Sequence, residues 1–203
     1  MFDLPKTSEI RKPLHKKLIY EKYAAELVGN KKDKFDADIS RMIITNEISE
    51  ASVNIKATEE ISAIFVIRIE LKRQEYDDKN IVMISKLFGQ KLLLVLHYEN
   101  KYQFAIYETR LLKSDWNNEE EVSLKLNGLD LGRVWDNFVI QVSGINVQAG
   151  NALVEQINIE AEKEKLRKQI AELEIKARKE VQSKKKFKMV QKIQQYKERL
   201  KGI

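Results

Sequence analysis

Four stretches of the chain carry strand-like patterns, and they frame much of what lies between them. Residues 61–72 (ISAIFVIRIELK) open as a continuous apolar run. They close in strict alternation, with Ile67, Ile69 and Leu71 on one face and Arg68, Glu70 and Lys72 on the other. That is the pattern of a strand near the centre of a sheet. Residues 92–98 and 102–112 are two β-rich runs separated only by Glu99, Asn100 and Lys101, which predicts a β-hairpin. Residues 39–48 are rich in β-branched side chains and read as a further strand or a strand-like connection. Helical spacing appears between and after them. Ile81, Ile84, Leu87 and Phe88 share one helix face, with Gly89 placed to end it. Asp130 is a cap for a helix burying Val134, Trp135, Phe138, Val139 and Val142, closed by Gly144.

The remaining segments are less patterned. Pro5 and Pro13 are the only prolines, and Leu14, Leu18, Ile19 and Tyr23 can form one helix face after Pro13, with Gly29 and Asn30 as a stop signal. Residues 31–38 are too polar to assign from periodicity. Residues 114–128 are polar, with Glu119, Glu120 and Glu121 preceding an alternating Val122, Leu124 and Leu126 that suits a short strand or an extended loop. The fold class expected is α+β, a largely antiparallel sheet with helices on one face, over residues 1–148. Residues 151–203 differ in kind. They contain no Pro and a single Gly, Gly202, and form a helical C-terminal extension. Leu166, Ile170, Leu173 and Ala177 follow a 4, 3, 4 spacing that Met189, Ile193, Tyr196 and Leu200 repeat. Between the two seams, Gln182 to Lys186 offers only polar and cationic side chains where a seam residue is due, so local pattern leaves a coiled-coil-like single helix and a helical hairpin equally open.

Composition limits the chemistry. With 203 residues, no Cys and two His, a disulfide framework and a thiolate zinc site are excluded, and no metal or cofactor is expected. The first residues lack the apolar stretch of a signal peptide, and no run approaches the roughly 18 apolar residues of a membrane span, so the expected location is the cytoplasm. The net charge of +6 is unevenly spread: residues 160–203 hold 15 Lys and Arg against 7 Glu, and residues 1–159 hold 22 basic against 24 acidic groups. Such segregation suits nucleic acid or an acidic protein surface, although solvated Lys-rich helix faces are common.

Few motifs point to catalysis. Glu70-Leu71-Lys72 is an acid-x-Lys pair of the kind that metal-dependent nucleases place on a strand, where alternation puts both side chains on one face. Asp38, Glu47, Glu50, Glu59 and Glu60 are all available as its upstream acid, and none is singled out. No phosphate-binding G-x-x-x-x-G-K-[ST] occurs, and Gly128 and Gly132 do not form a dinucleotide fingerprint. His15 and His97 read as ordinary polar or half-buried histidines rather than general bases, because no partner is marked. Asp115 and Trp116 suit a turn with the indole packed on the sheet edge more than a base-stacking role. In the tail, Lys184, Lys185, Lys186, Lys188 and Lys192 form a candidate nucleic-acid contact without sequence readout. Phe187, among them, reads as a packing residue.

Several of these segments together resemble a known family: FDLPKTSEI at the start, EEISAIFVIRIELK, LLLVLHYENKYQFAIYE, the SDW at Ser114 to Trp116, LNGLDLGRVWDNFVIQVSG and the charged helical tail. The chain resembles the bacterial domain of unknown function 4391 family. That resemblance implies an accessory protein encoded near DNA methyltransferases and helicases of restriction or phage-defence systems, and it carries no catalytic residue. The expectation is therefore a non-enzymatic accessory subunit that binds a larger partner such as a helicase or methyltransferase, with nucleic acid on the basic tail. A metal-dependent nuclease using Glu70 and Lys72 is the alternative, and a purely structural interaction module the third.

Overall fold

The computed structural model describes residues 2–147 and 152–203, in two compact units, Met1–Gly144 and Ile145–Ile203. The domain limits expected at 148 and 151 lie outside the described residues. In the first unit, β1 (Glu9–Leu14), β2 (Ile39–Ser49), β3 (Ala63–Leu71), β4 (Lys91–Tyr98), β5 (Lys101–Tyr107) and β6 (Leu111–Lys113) lie side by side in chain order, and β7 (Asn117–Asn118) pairs with the start of β5. Neighbours are antiparallel except β3 and β4, which are parallel. A parallel pair needs a crossover, and α4 (Asp78–Ser85) lies on it, its first turn capped by the Asp77 carboxylate accepting from Lys79 N at 2.9 Å.

Alternation sorts the sheet's side chains into two cores. Ile67, Ile69 and Leu71 of β3 and Leu92, Leu94 and Leu96 of β4 pack with Ile19 of α1 (Lys16–Lys22), Phe35 of α2 (Asn30–Asp38) and Ile81 and Ile84 of α4. On the opposite face, the Lys91 ammonium of β4 sits 5.1 Å from the Trp135 ring of α5 (Leu131–Ser143). The helix that buries Leu131, Val134, Trp135, Phe138, Val139 and Val142 therefore covers the other side. The class is α+β, as the pattern predicts, but helices cover both faces of the sheet. Strand periodicity records that a residue is buried and not which layer buries it.

Other differences are local. Residues 31–38 are helical because one apolar residue, the fully buried Phe35, anchors an otherwise polar turn. Gly29, at φ +60, breaks the chain between α1 and α2 without ending helix for good. The run 102–112 is two strands, since Glu108 to Arg110 turn the chain so that β6 pairs back on β5. A four-residue helix, α3 (Glu50–Val53), follows β2 through a Ser49–Ser52 capping box. Residues 122–126 form an extended loop, with Leu124 N donating to Phe2 O at 3.1 Å. Asp130 caps α5 by accepting from Arg133 N at 2.8 Å, and Gly144 ends it at φ +66. Gly128 is required where it stands: at φ +155, an added Cβ would lie 2.6 Å from Val134 N.

In the second unit, α6 (Leu153–Lys179) and α7 (Ser183–Gly202) are joined by residues 180–182 and pack on each other. Ile170, Ala177 and Ile193 are buried between them, bordered by Leu173, Met189, Tyr196 and Leu200. The two seams therefore meet in a helical hairpin. Lys197 pairs with Glu174 at 2.8 Å, and Arg199 pairs with Glu162 across the same gap. No helix among the described residues is long and apolar enough to cross a membrane.

Candidate nucleic-acid interface

Register across four strands assembles a polar row at one end of the sheet. Arg41 of β2, Glu70 of β3, His97 of β4 and Tyr102 of β5 are direct cross-strand partners in sequence, so their side chains share a face. His97 Nδ1 lies 2.5 Å from Glu70 Oε2 and 3.0 Å from an Arg68 terminal nitrogen. That single ring nitrogen can donate to the carboxylate or accept from the guanidinium, not both at once. Arg68 Nε is 2.6 Å from Glu70 Oε1, an ion pair at an angle that makes no hydrogen bond, and Arg41 stands 3.9 Å away. The His97 ring stacks on Tyr102 at 4.4 Å. Burial, chiefly, raises the Tyr102 phenol above its ordinary pKa, and the Arg68 charge works the other way.

Glu70 is thus surrounded by cationic and imidazole groups. Lys72 lies beyond the end of β3, where the pleat no longer fixes its face, and its charge is felt by Asp36 of α2. Among the described residues Lys72 makes no hydrogen bond or ion pair with Glu70. Asp38, one of the candidate upstream acids, is fully buried. It uses its carboxylate to hold Arg73, the Asp77 backbone N–H at 2.9 Å and the Asn80 amide at 2.8 Å. No group of three or more His, Asp or Glu side chains is placed to hold a metal among the described residues. His15 is exposed at the start of α1. Trp116 packs on the sheet core edge-to-face with Tyr76 at 6.4 Å. A cleft of about 540 Å³ beside α4 mixes Glu26, Lys31, Lys34, Asp77 and Lys79, with no single charge converging on it.

The hairpin is different, because one sign of charge dominates. Helix α6 nearly balances, with seven Lys and Arg against six Glu, whereas α7 carries eight against the single Glu198. Met189, Ile193, Tyr196 and Leu200 face α6, so Lys185, Lys188 and Lys192, at spacings of 3 and 4, line one flank, with Lys184 beside them. All five predicted cations, Lys184, Lys185, Lys186, Lys188 and Lys192, are exposed. None is ion-paired among the described residues; Lys192 only covers the Tyr196 ring, at 5.6 Å. Phe187 is the correction here. It is 62% exposed and outside the hairpin core, not a packing residue.

A family model for a domain of unknown function, DUF4391, matches residues 2–200. The chain belongs to that family. No curated protein and no solved structure matches the chain. The match runs through both units of this DUF4391 protein, so the polar row and the basic hairpin both lie within the family's extent. The row itself was invisible in the sequence. Glu70 and His97 become neighbours only through the parallel pairing of β3 with β4, which no local pattern encodes.

Proposed function

We propose that this chain is a non-enzymatic interaction subunit that holds nucleic acid on its basic α6–α7 hairpin while the sheet-based unit docks on a larger protein partner in the cytoplasm. The observation that carries this reading is the row of exposed lysines on α7, unpaired among the described residues, in a helix of eight basic residues and one acidic. Lys197 and Arg199 are partly neutralised by α6, and Lys184, Lys185, Lys186, Lys188 and Lys192 are left to meet phosphates. Such contacts position a polyanion without reading its sequence. A subunit of this kind needs a partner that supplies specificity or catalysis, and a helicase or methyltransferase of a restriction or phage-defence system would do so. The metal-dependent nuclease alternative draws less support, because the groups around Glu70 are cations and an imidazole rather than further carboxylates.

A salt-series binding titration tests it. The full chain is expected to bind DNA weakly, with a dissociation constant of roughly micromolar or above at physiological salt. Replacing Lys184, Lys185, Lys186 and Lys188 by Gln keeps good helix formers. It should weaken binding and flatten the slope of log K against log salt by about 2 to 4. A variant with the parent's affinity and slope, or a parent that fails to bind even at low salt, would reject the reading.

A further inference from the structure

A phenyl ring 62% exposed in the middle of a lysine cluster contributes nothing to the hairpin core. Phe187 points away from the seam of Met189, Ile193, Tyr196 and Leu200, and its helix neighbours are Lys184 one turn before and the half-exposed Val190 one turn after. Lys186 and Lys188 flank it in sequence. Aromatic rings set in a cationic groove are the device by which proteins hold unpaired bases, since every base offers a face to stack on while the cations take the phosphates. A duplex keeps its bases stacked inside and offers the ring nothing. A second copy of this chain fits poorly, because closing Phe187 on its equivalent would bring two lysine clusters together.

We infer that the nucleic acid held by the hairpin is single-stranded, with one base stacked on Phe187 and its flanking phosphates on Lys184 and Lys188. The inference rests on the nucleic-acid reading above and names the ligand class. It is tested with the full chain, a fluorescent oligothymidine and a duplex of equal length, at low salt. Phe187→Ala should weaken oligothymidine binding about 5-fold or more, the low end of what one lost stacking contact costs. It should leave duplex binding within about 2-fold and the salt slope unchanged, because no cation is removed. Phe187→Tyr should restore the affinity. Circular dichroism should match for all three proteins, since the ring is exposed.

The outcomes separate. If Phe187→Ala binds oligothymidine like the parent while the Lys-to-Gln variant does not, the stacking inference fails and the nucleic-acid reading stands. If the parent binds neither probe, the reading itself fails. Equal losses on single strand and duplex would also overturn the inference. So would a parent that sediments as a dimer and becomes a monomer on Phe187→Ala, which would assign the ring to self-association.

Discussion

On α2, the Asp36 carboxylate accepts hydrogen bonds from Lys16 Nζ at 2.7 Å and Tyr20 Oη at 2.6 Å. Burial pushes its pKa up, but the hydrogen bonds from Lys16 and Tyr20 and the charges of Lys16 and Lys72 outweigh that and hold it below the ordinary carboxylate value. The Tyr20 phenol moves the other way, raised first by burial and then by its bond to Asp36. A carboxyl whose folded pKa is depressed stabilises the fold above its unfolded pKa, near 3.9 for Asp, and that contribution disappears as pH falls through the folded value. Asp36→Asn should therefore lower Tm at pH 7, and the gap to the parent should close near pH 2. A gap of equal size at both pH values would show that the loss is steric. At this scale the sequence is least legible. Asp36, Arg68 and Tyr102 sit in no motif, and their roles come from contacts 16 to 34 residues apart in the chain. Only burial and register bring them together.

Elements were easier to read where one face is apolar. The stripe of α5, its Asp130 cap and its Gly144 stop are all visible as spacing, and β3 alternates as written. Helix α2 was hidden because a single Phe35 supplies its anchor, and the break after β5 because Tyr107 and Leu111 are equally strand-like. The hairpin was half legible. Both seams show, but whether they face each other depends on residues 180–182 turning the chain, which no apolar periodicity reports. Helices packed through so few buried residues are marginal alone, so the seam should control their order. Ile193→Ala removes the most buried side chain of α7. It should cost about 2 kcal/mol or more, as truncation of a buried Ile does, seen as lost helical signal at a lower temperature. Ile175→Ala, at a position 55% exposed on α6, should change stability by less than about 0.5 kcal/mol. Equal effects from the two would show that the seam is not what holds the hairpin.

Over the whole molecule, charge and core are divided between different parts of the chain. Residues 145–203 hold 15 Lys and Arg against 8 Glu, so residues 1–144 carry 22 basic and 23 acidic side chains, close to neutral. Among the described residues, every strand, and the helices packed on both sheet faces, lie within Met1–Gly144. A chain cut after residue 147 should therefore keep the apolar burial that makes a domain of this size unfold in one cooperative step. It should also lose the polyanion affinity, because near-balanced charge leaves no field to attract phosphate. Thermal denaturation and the salt-series titration on the truncated and full chains measure both properties independently. Cooperative unfolding with binding abolished is the expected pair of results. A truncation that unfolds gradually and exposes apolar surface would show that the hairpin completes the first unit's core. One that folds and still binds DNA with the full chain's salt slope would move the interface from α7 to the sheet, where Arg41 and Arg68 would be the cations to replace next.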